Sequence, residues 1–380
     1  MTQDSARQPL AGIRVLDFST LLPGPMCTLM LAEAGAEVIK IEKPGSGDMM
    51  RSYVPRFGDE AINFAILNRG KRSLAIDLTK PEGITHALHL VRTADVVIEQ
   101  FRPGVMQRLG LGYEQLREVK PDLIYCSITG YGQDGPLAQR AAHDLNFAAE
   151  VGLLAQTADE QGNPQLPPAL IGDIAGGTYP ALFNILLALR RRDAGGGGCY
   201  LDIAMADSLF TTMYWGLGNG FVAGQWPRPG SDLVTGGSPR YQIYRTRDDR
   251  FMAAAPLEDK FWKNFLDVIG APQLLDESAD PQGVRRAIAD IVLSHDGAEW
   301  EARFAGLDAC VNFVRTLDEA VNNPHFTARG LFAYRIEDAA GRSMPALPVP
   351  IADLFRVDAG RAQRYPELGE AQNDPHYGVI

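Results

Sequence analysis

The feature that most constrains the fold of this chain is a strand–helix–strand pattern near its N-terminus. Residues 13–18 (IRVLDF) form a largely apolar run that is typical of a buried strand, and residues 37–42 (EVIKIE) form a second one. Between them, the turn Pro23-Gly24-Pro25 precedes a short predicted helix that ends at Ala34. Two such strands joined by one helix lie parallel, so the pattern predicts a parallel sheet with helices on its faces.

Later segments repeat this pattern. Residues 81–94 are predicted to form a helix with Pro81 in its first turn, and residues 95–101 are predicted to form the next strand. Residues 123–129 (LIYCSIT) predict a further strand, which ends in the loop Gly130-Tyr131-Gly132. The predicted fold class is therefore doubly wound α/β. A GxGxxG turn is missing after these strands, so the sequence does not support a dinucleotide cofactor.

A change in composition indicates a second domain. Residues 216–236 contain the segment WPRPG and several further glycines, which favours a linker. After this segment, residues 241–254 predict a hairpin and residues 258–269 predict a helix. We therefore expect a smaller α+β domain over residues 237–330, and a chain length of 380 residues is compatible with two domains.

Charge and cysteine content exclude several classes of protein. The chain has 36 Lys and Arg against 47 Asp and Glu, a net charge of −11, which lacks the basic footprint of a nucleic-acid-binding protein. Its 4 cysteines form no CxxC pair, which argues against a local metal site and favours reduced thiols. Apolar runs are too short for a membrane span. We expect a cytoplasmic protein without a metal, nucleic-acid or membrane partner.

Positive charge is concentrated between residues 40 and 72. Seven basic residues stand against four acidic ones there, a local charge of +3, and the basic ones are Lys40, Lys43, Arg51, Arg56, Arg69, Lys71 and Arg72. Arg102 and Arg108 follow the next predicted strand, at the carboxyl end where open α/β sheets bind ligands. This pattern favours a phosphate-rich ligand. The alternative is a solvated loop with surface salt bridges.

Three segments carry candidate acid–base groups. His143 and Asp144 are adjacent, and successive helical residues point about 100° apart, so Asp144 is expected to cap the helix or act as a second acid rather than to orient His143. Asp173 precedes a run of small residues, and we expect a helix N-terminus to keep its carboxylate ionised. Glu258 begins a further helix. Helix capping is the alternative role for Asp173 and Glu258.

Taken together, these segments resemble the class III CoA-transferase family, which includes CoA-transferases and α-methylacyl-CoA racemases. The opening PLAGIRVLDFSTLLPGPMCTLMLAEAGAEVIKIEKPGSGD is similar to the N-terminal signature of the family. The segments NRGKRSLAIDL, ADVVIEQFRPGVMQRLGLGY and LIYCSITGYGQDGP follow in the expected order. The resemblance implies an acyl-CoA thioester substrate, with coenzyme A as part of that substrate and no permanently bound cofactor.

The resemblance also implies an architecture. It places a Rossmann-like large domain at residues 1–215 and 340–380, connected to the smaller domain by linkers at 216–236 and 331–339, in an interlocked ring-like homodimer. It further implies that coenzyme A contacts four basic residues, namely Lys43, Arg72, Arg102 and Arg108. Lys43 stands where the family usually has arginine, which keeps the charge and loses the forked donor geometry.

Two reactions follow from the resemblance. In the racemases, a histidine and an aspartate thirty residues later move the proton α to the thioester, and a glutamate orients the histidine. His143, Asp173 and Glu258 occupy these positions, with Asp144 as an additional candidate acid. In the transferases, the same aspartate forms a mixed anhydride and then an aspartyl-CoA thioester.

Departures from the racemase pattern keep both reactions open. Ala142 and Ala169 replace the usual glycine and asparagine, and the segment 47–67 has a length closer to that of the transferases. Racemisation of a 2-methylacyl-CoA through His143 and Asp173 is our leading hypothesis, and CoA transfer through Asp173 is the alternative. An acyl-CoA-binding protein without turnover is the third.

Overall fold

A computed structural model of the chain describes residues 8–159, 161–356 and 360–377; parts of the expected large domain, residues 1–7 and 378–380 among them, lie outside the described residues. The chain divides into two units. Unit 1 comprises Met1–Val151, Pro167–Thr212 and His325–Ile380, and unit 2 comprises Gly152–Leu166 and Met213–Pro324.

The described strands and helices are as follows in chain order. The strands are β1 (Arg14–Asp17), β2 (Glu37–Glu42), β3 (Arg56–Phe57), β4 (Glu60–Ala61), β5 (Arg72–Ala75), β6 (Val96–Glu99), β7 (Ile124–Thr129), β8 (Cys199–Ala204), β9 (Gln242–Arg245), β10 (Phe251–Ala254), β11 (Val311–Phe313), β12 (Arg335–Glu337), β13 (Ser343–Pro345) and β14 (Gln363–Arg364). The α-helices are α1 (Pro23–Glu33), α2 (Ile62–Asn68), α3 (Pro81–Val91), α4 (Val105–Arg108), α5 (Tyr113–Val119), α6 (Asp144–Glu150), α7 (Tyr179–Asp193), α8 (Met205–Leu209), α9 (Tyr214–Ala223), α10 (Asp259–Ile269), α11 (Pro281–Val292), α12 (Gly297–Phe304), α13 (Leu317–Val321) and α14 (Pro324–Ala328).

Six of these strands form a parallel sheet in unit 1, in the order β5–β2–β1–β6–β7–β8. Val15 of β1 lies opposite Val38 of β2 on one side and Val96 of β6 on the other. The strands β2 and β5 therefore follow β1 on one side of the sheet, and β6, β7 and β8 follow it on the other side. The predicted α/β fold with a parallel sheet is confirmed. The switch between the two directions, at β1 and β6, is where open sheets of this kind bind ligands.

Helices cover both faces of the sheet, which explains why its strands are nearly continuous apolar runs. On one face, Cys27 of α1 and Ile185 of α7 pack in one core with Val15. On the other face, Leu90 of α3 and Leu116 of α5 belong to a second core. Four of these five residues have no exposed surface, and Leu90 is 2% exposed.

The C-terminal segment of unit 1 returns to the first third of the chain. The backbone N–H of Ala371 donates to the carbonyl of Ser73 across 3.0 Å, beside the edge strand β5. Arg69 donates from Nη2 to the carbonyl of Leu347 across 2.8 Å, and Arg51 donates to the carbonyl of Pro366 across 3.2 Å. Residues far apart in sequence thus complete one core.

Both segments expected to be linkers contain regular structure. Helix α9 occupies the start of the segment 216–236, and its Gly220 leaves room for the ring of Trp226, because a Cβ at Gly220 would come within 2.4 Å of that ring. The Gly- and Pro-rich stretch therefore folds back onto α9 within unit 2. The segment 331–339 contains β12, which pairs with β13 and β14. The role of these two segments as linkers between the expected domains stays a prediction.

Unit 2 has its own core. Strands β9, β10 and β11 form an antiparallel sheet, and Trp262, Phe265 and Trp300 from its helices are fully buried in the same cluster. Residues 152–166, which we expected in the large domain, belong to this unit, and Gln156 there donates to Sδ of Met213 across 2.9 Å. Over the described residues, every helix is too short or too polar to cross a membrane.

Candidate active site

A cavity of about 550 Å³ lies at the carboxyl ends of β1, β6 and β7, beside the switch point of the sheet. Its polar side chains are those of Thr20, Gln100, Arg102, Thr129, Arg140, His143, Asn146 and Asp173. Its apolar walls include Leu21, Met49, Phe101, Ile128, Phe147 and Met205. All of these residues belong to unit 1. The cavity thus brings together His143, Asp173 and Arg102 from the sequence-predicted residues.

Asp173 is held against Asp144. The backbone N–H of Asp173 donates to Oδ1 of Asp144 across 2.9 Å, and Asp144 is buried at the start of α6. This hydrogen bond therefore fixes the backbone of Asp173. Asp173 lies in the first turn of a π-helix, Gly172–Thr178, whose N-cap residue is Ile171, so the capping alternative for Asp173 is wrong.

The pKa of Asp173 differs from the value that we expected. Burial and, secondly, the negative charge of Asp144 raise the pKa of Asp173 from 3.8 to about 7. The expectation that a helix N-terminus keeps this carboxylate ionised is wrong, because desolvation and a like charge both favour the protonated form. A carboxyl group with such a pKa populates both protonation states near neutral pH.

The π-helix that carries Asp173 depends on close packing. A Cβ at Gly176 would come within 2.4 Å of the carbonyl oxygen of Met205, so only glycine lets the π-helix approach α8 this closely. Thr178 donates from Oγ1 to the carbonyl of Pro23 across 2.9 Å, which ties the end of the π-helix to the start of α1. π-Helical turns are rare in proteins overall, and those that do occur are often found at functional sites. This geometry therefore supports a functional role for the segment Gly172–Thr178.

His143 is the N-cap residue of α6 and is exposed toward the cavity that it lines. Its backbone N–H donates to Oδ1 of Asn146 across 3.0 Å, which fixes the backbone of His143 at the start of α6. Asp144, the next residue, bonds to Asp173 rather than to the ring of His143. The two candidate acid–base side chains therefore border one cavity.

Two residues, one at the end of β6 and one in the loop that follows, were missed in the sequence analysis. Gln100 lines the cavity, and its Oε1 accepts a hydrogen bond of 3.1 Å from the backbone N–H of Gly24. Glu99, at the end of β6, accepts a hydrogen bond of 2.8 Å from the backbone N–H of Phe101. The position of Gln100 directly after a buried strand is the sequence signal that could have identified it. These contacts fix the loop that presents Arg102.

The four residues expected to contact coenzyme A have different positions. Arg102 is exposed and lines both the large cavity and a smaller one of about 200 Å³. Lys43, Arg72 and Arg108 are also exposed but do not line the large cavity. Arg108 folds back over its own helix, where its Nη1 would be 3.2 Å from a Cβ at Gly104.

Much of the basic cluster at residues 40–72 is internal. Four of its seven basic residues are buried in ion pairs, namely Lys40–Asp48 (2.9 Å), Arg51–Glu42 (2.8 Å), Arg69–Glu33 (2.7 Å) and Lys71–Asp17 (3.3 Å). Lys40 and Lys71 together hold the pKa of Asp17 at about 2, although its burial acts in the opposite direction. For these four residues both interpretations, a phosphate site and a solvated loop, are wrong. They neutralise buried carboxylates instead.

Glu258 lies in unit 2, where it is exposed and precedes α10. Its backbone carbonyl accepts the N–H of Trp262 across 2.9 Å, whereas its side chain makes no capping bond to the described residues of the helix. The capping alternative is therefore wrong for this side chain. In the parts of the chain that the structure describes, no group of three or more His, Cys, Asp or Glu is placed to hold a metal ion.

Comparisons with known proteins agree on one family. The family model described as CoA-transferase family III matches residues 10–372. The chain is 36% identical over 369 residues to alpha-methylacyl-CoA racemase of Mus musculus, covering 95% of this chain and 91% of the relative. It is 32% identical over 365 residues to acetyl-CoA:oxalate CoA-transferase of Acetobacter aceti, covering 92% and 91%. A solved structure of a CAIB/BAIF family protein from Brucella suis has a TM-score of 0.81 at 28% identity, covering 96% of this chain and 97% of that one.

Proposed function

Because this chain belongs to CoA-transferase family III, we propose that it catalyses 1,1-proton transfer at C2 of a 2-methylacyl-CoA thioester. His143 and Asp173 serve as the two acid–base groups. The observation that carries this proposal is that both residues line one cavity and that the pKa of Asp173 is about 7. A group that donates and accepts a proton in alternate turnovers works best when its pKa is near the working pH.

In the proposed reaction, one of the two groups removes the proton from C2, and the electron pair moves into the thioester carbonyl to form an enolate. The other group, in its protonated form, delivers a proton to the opposite face of C2. This step restores the carbonyl and inverts the configuration. The raised pKa of Asp173 lets the same side chain act in both directions of the reaction.

The enolate oxygen requires hydrogen-bond donors that are already in place. We assign this role to the side-chain amide of Gln100. Its Oε1 accepts the N–H of Gly24, which fixes the orientation of the amide and leaves the Nε2 hydrogens as donors for the cavity.

Recognition of coenzyme A is part of the same proposal. Arg102 lines the cavity, and a guanidinium at this position fits a phosphate group. Lys43, Arg72 and Arg108 lie outside the cavity and, in this proposal, contact the more distant part of the coenzyme A moiety of the substrate. The proposal also includes an interlocked ring-like homodimer and a role for Glu258 in orienting the ring of His143.

Transfer of CoA between carboxylic acids is the second candidate function. It is favoured by the 32% identity with an acetyl-CoA:oxalate CoA-transferase and by Met49, from the segment 47–67, in the wall of the cavity. The carboxylate of Asp173 would attack the thioester carbonyl, the C–S bond would break, and CoA would leave as thiolate. The thiolate would then attack the aspartyl carbonyl of the mixed anhydride, which releases the first acid and leaves an aspartyl-CoA thioester. The acceptor carboxylate would attack this thioester and release the thiolate, which would attack the acyl carbonyl of the new anhydride to form the acceptor's CoA thioester and regenerate the carboxylate of Asp173.

Hydrogen exchange at C2 separates the two functions. We incubate the protein with several 2-methylacyl-CoA thioesters in D2O and follow deuterium at C2 by mass spectrometry. Racemisation requires exchange that His143→Ala and Asp173→Asn each reduce at least a hundredfold, since one general acid or base contributes about 10²–10⁴. His89→Ala, a change on α3 outside the cavity, is the control. Absence of exchange with every substrate would reject the racemase proposal.

A trapping experiment tests the alternative. Acyl-CoA and hydroxylamine are added together, and the chain is then digested and analysed for a hydroxamate at Asp173. A transferase forms this adduct and moves CoA to an added carboxylate, and His143→Ala retains partial activity. If neither the adduct nor CoA transfer is found, the transferase function is excluded.

A further inference from the structure

Two apolar side chains in the wall of the candidate active site come from separate parts of the chain, namely Leu21 and Met49. Leu21 lies in the loop between β1 and α1, and Met49 begins the 3₁₀ turn Met49–Ser52. Leu21 is half-buried and Met49 is 63% exposed. Neither side chain has a part in the proton transfer or the phosphate contact proposed above, so both are available for an apolar part of the substrate.

Leu21 has a backbone conformation that leucine rarely adopts. Its φ is 63°, in the left-handed region, where the Cβ of an L-residue comes too close to the following carbonyl oxygen. Strain of this kind persists only where the surrounding structure holds it, and it is concentrated at active sites and ligand clamps. The contacts that hold Leu21 are therefore informative about the cavity that it lines.

A buried ion pair holds the backbone of Leu21. The backbone N–H of Leu21 donates to Asp48, across 3.1 Å to Oδ1 and 3.3 Å to Oδ2. Nζ of Lys40 lies 2.9 Å from Oδ2 of Asp48 and donates to the carbonyl of Ser19 across 2.8 Å. The chain from Ser19 to Leu21 is thus bound at both ends by one ion pair, and Thr20 between them also lines the cavity.

Asp48 also fixes the turn that carries Met49. It is the N-cap residue of this 3₁₀ turn, and its Oδ1 accepts the backbone N–H of Met50 across 2.9 Å. The backbone N–H of Asp48 donates to Oε2 of Glu42 across 2.9 Å, which anchors the residue at the end of β2. One carboxylate therefore holds both Leu21 and Met49 through their backbones.

Asp48 and Lys40 do not contact a ligand themselves, because both side chains are 0% exposed and neither lines the cavity. Burial acts to lower the pKa of Lys40, but three nearby carboxylates raise it above its usual value, namely those of Asp17, Asp48 and Glu42. The lysine therefore stays protonated and the pair is kept. A buried ion pair is often no more stabilising than apolar residues of similar volume, so its directed hydrogen bonds indicate a role in fixing one conformation.

We propose, on the basis of the acyl-CoA substrate proposed above, that Asp48 is a positioning residue that fixes Leu21 and Met49 as one contact surface for the acyl chain. The two side chains offer apolar area without hydrogen bonds, so they select acyl groups by the apolar area that becomes buried. Rigid placement is needed for this selection, because a surface that can retreat accepts small and large groups alike. Loss of the Asp48 contacts releases the strain at Leu21 and weakens the selection.

Binding of unreactive thioethers measures this selection apart from catalysis. S-methyl-CoA and S-(2-methyloctyl)-CoA lack the thioester carbonyl, so neither racemisation nor CoA transfer can act on them. Calorimetry gives both dissociation constants, and their ratio measures the preference for the longer alkyl chain, which we expect the wild type to show. Leu21→Ala and Met49→Ala each lower this preference about tenfold. Val54→Ala, an exposed apolar residue of the segment 47–67 outside the cavity lining, leaves it unchanged.

Asp48→Asn tests the positioning role. The asparagine loses the charge that is paired with Lys40, and we expect the preference for the longer thioether to fall about tenfold while S-methyl-CoA binds as it does to the wild type. A general loss of stability would weaken both ligands equally and leave the ratio unchanged. In the Leu21→Ala/Met49→Ala background, Asp48→Asn has no further effect on the ratio, because it acts only through these two residues. Glu33→Gln, which breaks a comparable buried ion pair of unit 1 outside the cavity lining, is the matched control.

Circular dichroism establishes that each variant is folded. If Asp48→Asn does not fold, the double variant Lys40→Met/Asp48→Asn takes its place, since it leaves no unpaired lysine in the interior. An unchanged ratio, in the two alanine variants or in the folded Asp48 variant, overturns the proposal. The C2 exchange assay is read separately. A fall in the ratio without exchange keeps the positioning role and rejects racemisation, whereas exchange with an unchanged ratio rejects the positioning role and keeps racemisation.

Discussion

The backbone N–H of Asp173 donates to the side chain of Asp144 across 2.9 Å, so two acidic residues that are separated by 29 positions are held together at one wall of the cavity. Asp144 has two effects on Asp173. As a hydrogen-bond acceptor it positions the backbone, and as a charge it raises the pKa of the carboxyl group. Isosteric substitution separates these effects.

We predict that Asp144→Asn lowers the pKa of Asp173. The asparagine keeps an acceptor for the N–H of Asp173 and removes the negative charge, so the ionised form of Asp173 becomes less unfavourable. The limb of the pH–rate profile that reports Asp173 moves to lower pH, by about one pH unit. The measurement is kcat/KM for C2 exchange between pH 5 and 9. An unchanged limb would show that burial alone sets this pKa.

We predict that Arg102→Ala raises KM for acyl-CoA about 10- to 100-fold with little change in kcat. The loss corresponds to one charge-assisted hydrogen bond to a phosphate group, about 1.5–3 kcal/mol. Steady-state kinetics on the wild type and the variant give both constants. Arg117→Ala on α5, which removes an exposed arginine paired with Glu114, is the matched control and retains the wild-type KM.

Glu258→Gln tests the proposed positioning of His143. We expect kcat for exchange to fall about tenfold while KM stays within a factor of two, because the residue orients a catalytic group and does not bind substrate. Glu258→Asp restores part of the loss. Asp290→Asn, an exposed acid in the same unit, is the control and keeps full activity. A parallel rise in KM would instead place Glu258 in substrate binding.

Arg69→Ala distinguishes the internal ion pairs from the phosphate-binding residues. Arg69 and Glu33 have side chains 0% and 1% exposed, so the truncation leaves a buried carboxylate with fewer partners. We predict a loss of about 3 kcal/mol in the free energy of unfolding. This value is at the lower end of the range for breaking a buried ion pair, because Arg356 also contacts Glu33. Thermal and urea denaturation measure the loss. KM for acyl-CoA stays at the wild-type value, and a selective rise in KM would contradict an internal role.

Glu99→Gln is predicted to stabilise the protein at alkaline pH. Burial raises the pKa of Glu99 from 4.5 to about 7, so the folded state binds its proton more tightly than the unfolded state does. The wild type therefore loses stability as the pH rises from about 4.5 to 7, and the loss is complete above 7. The neutral glutamine removes this loss, up to about 3 kcal/mol. Thermal midpoints should differ at pH 8 and coincide at pH 4.

The sheet was predictable because buried parallel strands remain apolar along their whole length. The run predicted at residues 37–42 matches β2, and the run at 123–129 differs from β7 by one residue. The regular structure within the two predicted linkers was not predictable from composition. Glycines at 216–236 provide room for Trp226 and Pro227 to pack on α9, and a count of Gly and Pro does not distinguish this packing from an extended connection.

The site was predictable in part. The resemblance to the class III CoA-transferase family identified His143 and Asp173, and both residues line one cavity. The pKa of Asp173 depends on Asp144, which approaches it only after the intervening 28 residues have folded, so the sequence could not supply it. In the same way, the charge of residues 40–72 could not show that Lys40 and Lys71 are enclosed with Asp48 and Asp17.

The return of the C-terminal segment has a consequence for biosynthesis. Arg51 and Arg69 leave the ribosome early, yet the carbonyl groups that they contact belong to Pro366 and Leu347, which are translated about 280–315 residues later. Until then, the nascent chain carries two arginines with incomplete coordination and an open edge beside Ser73. Folding of unit 1 is therefore completed only after residues 347–371 have been translated, and a truncation that removes these residues exposes this edge to chaperones and proteases.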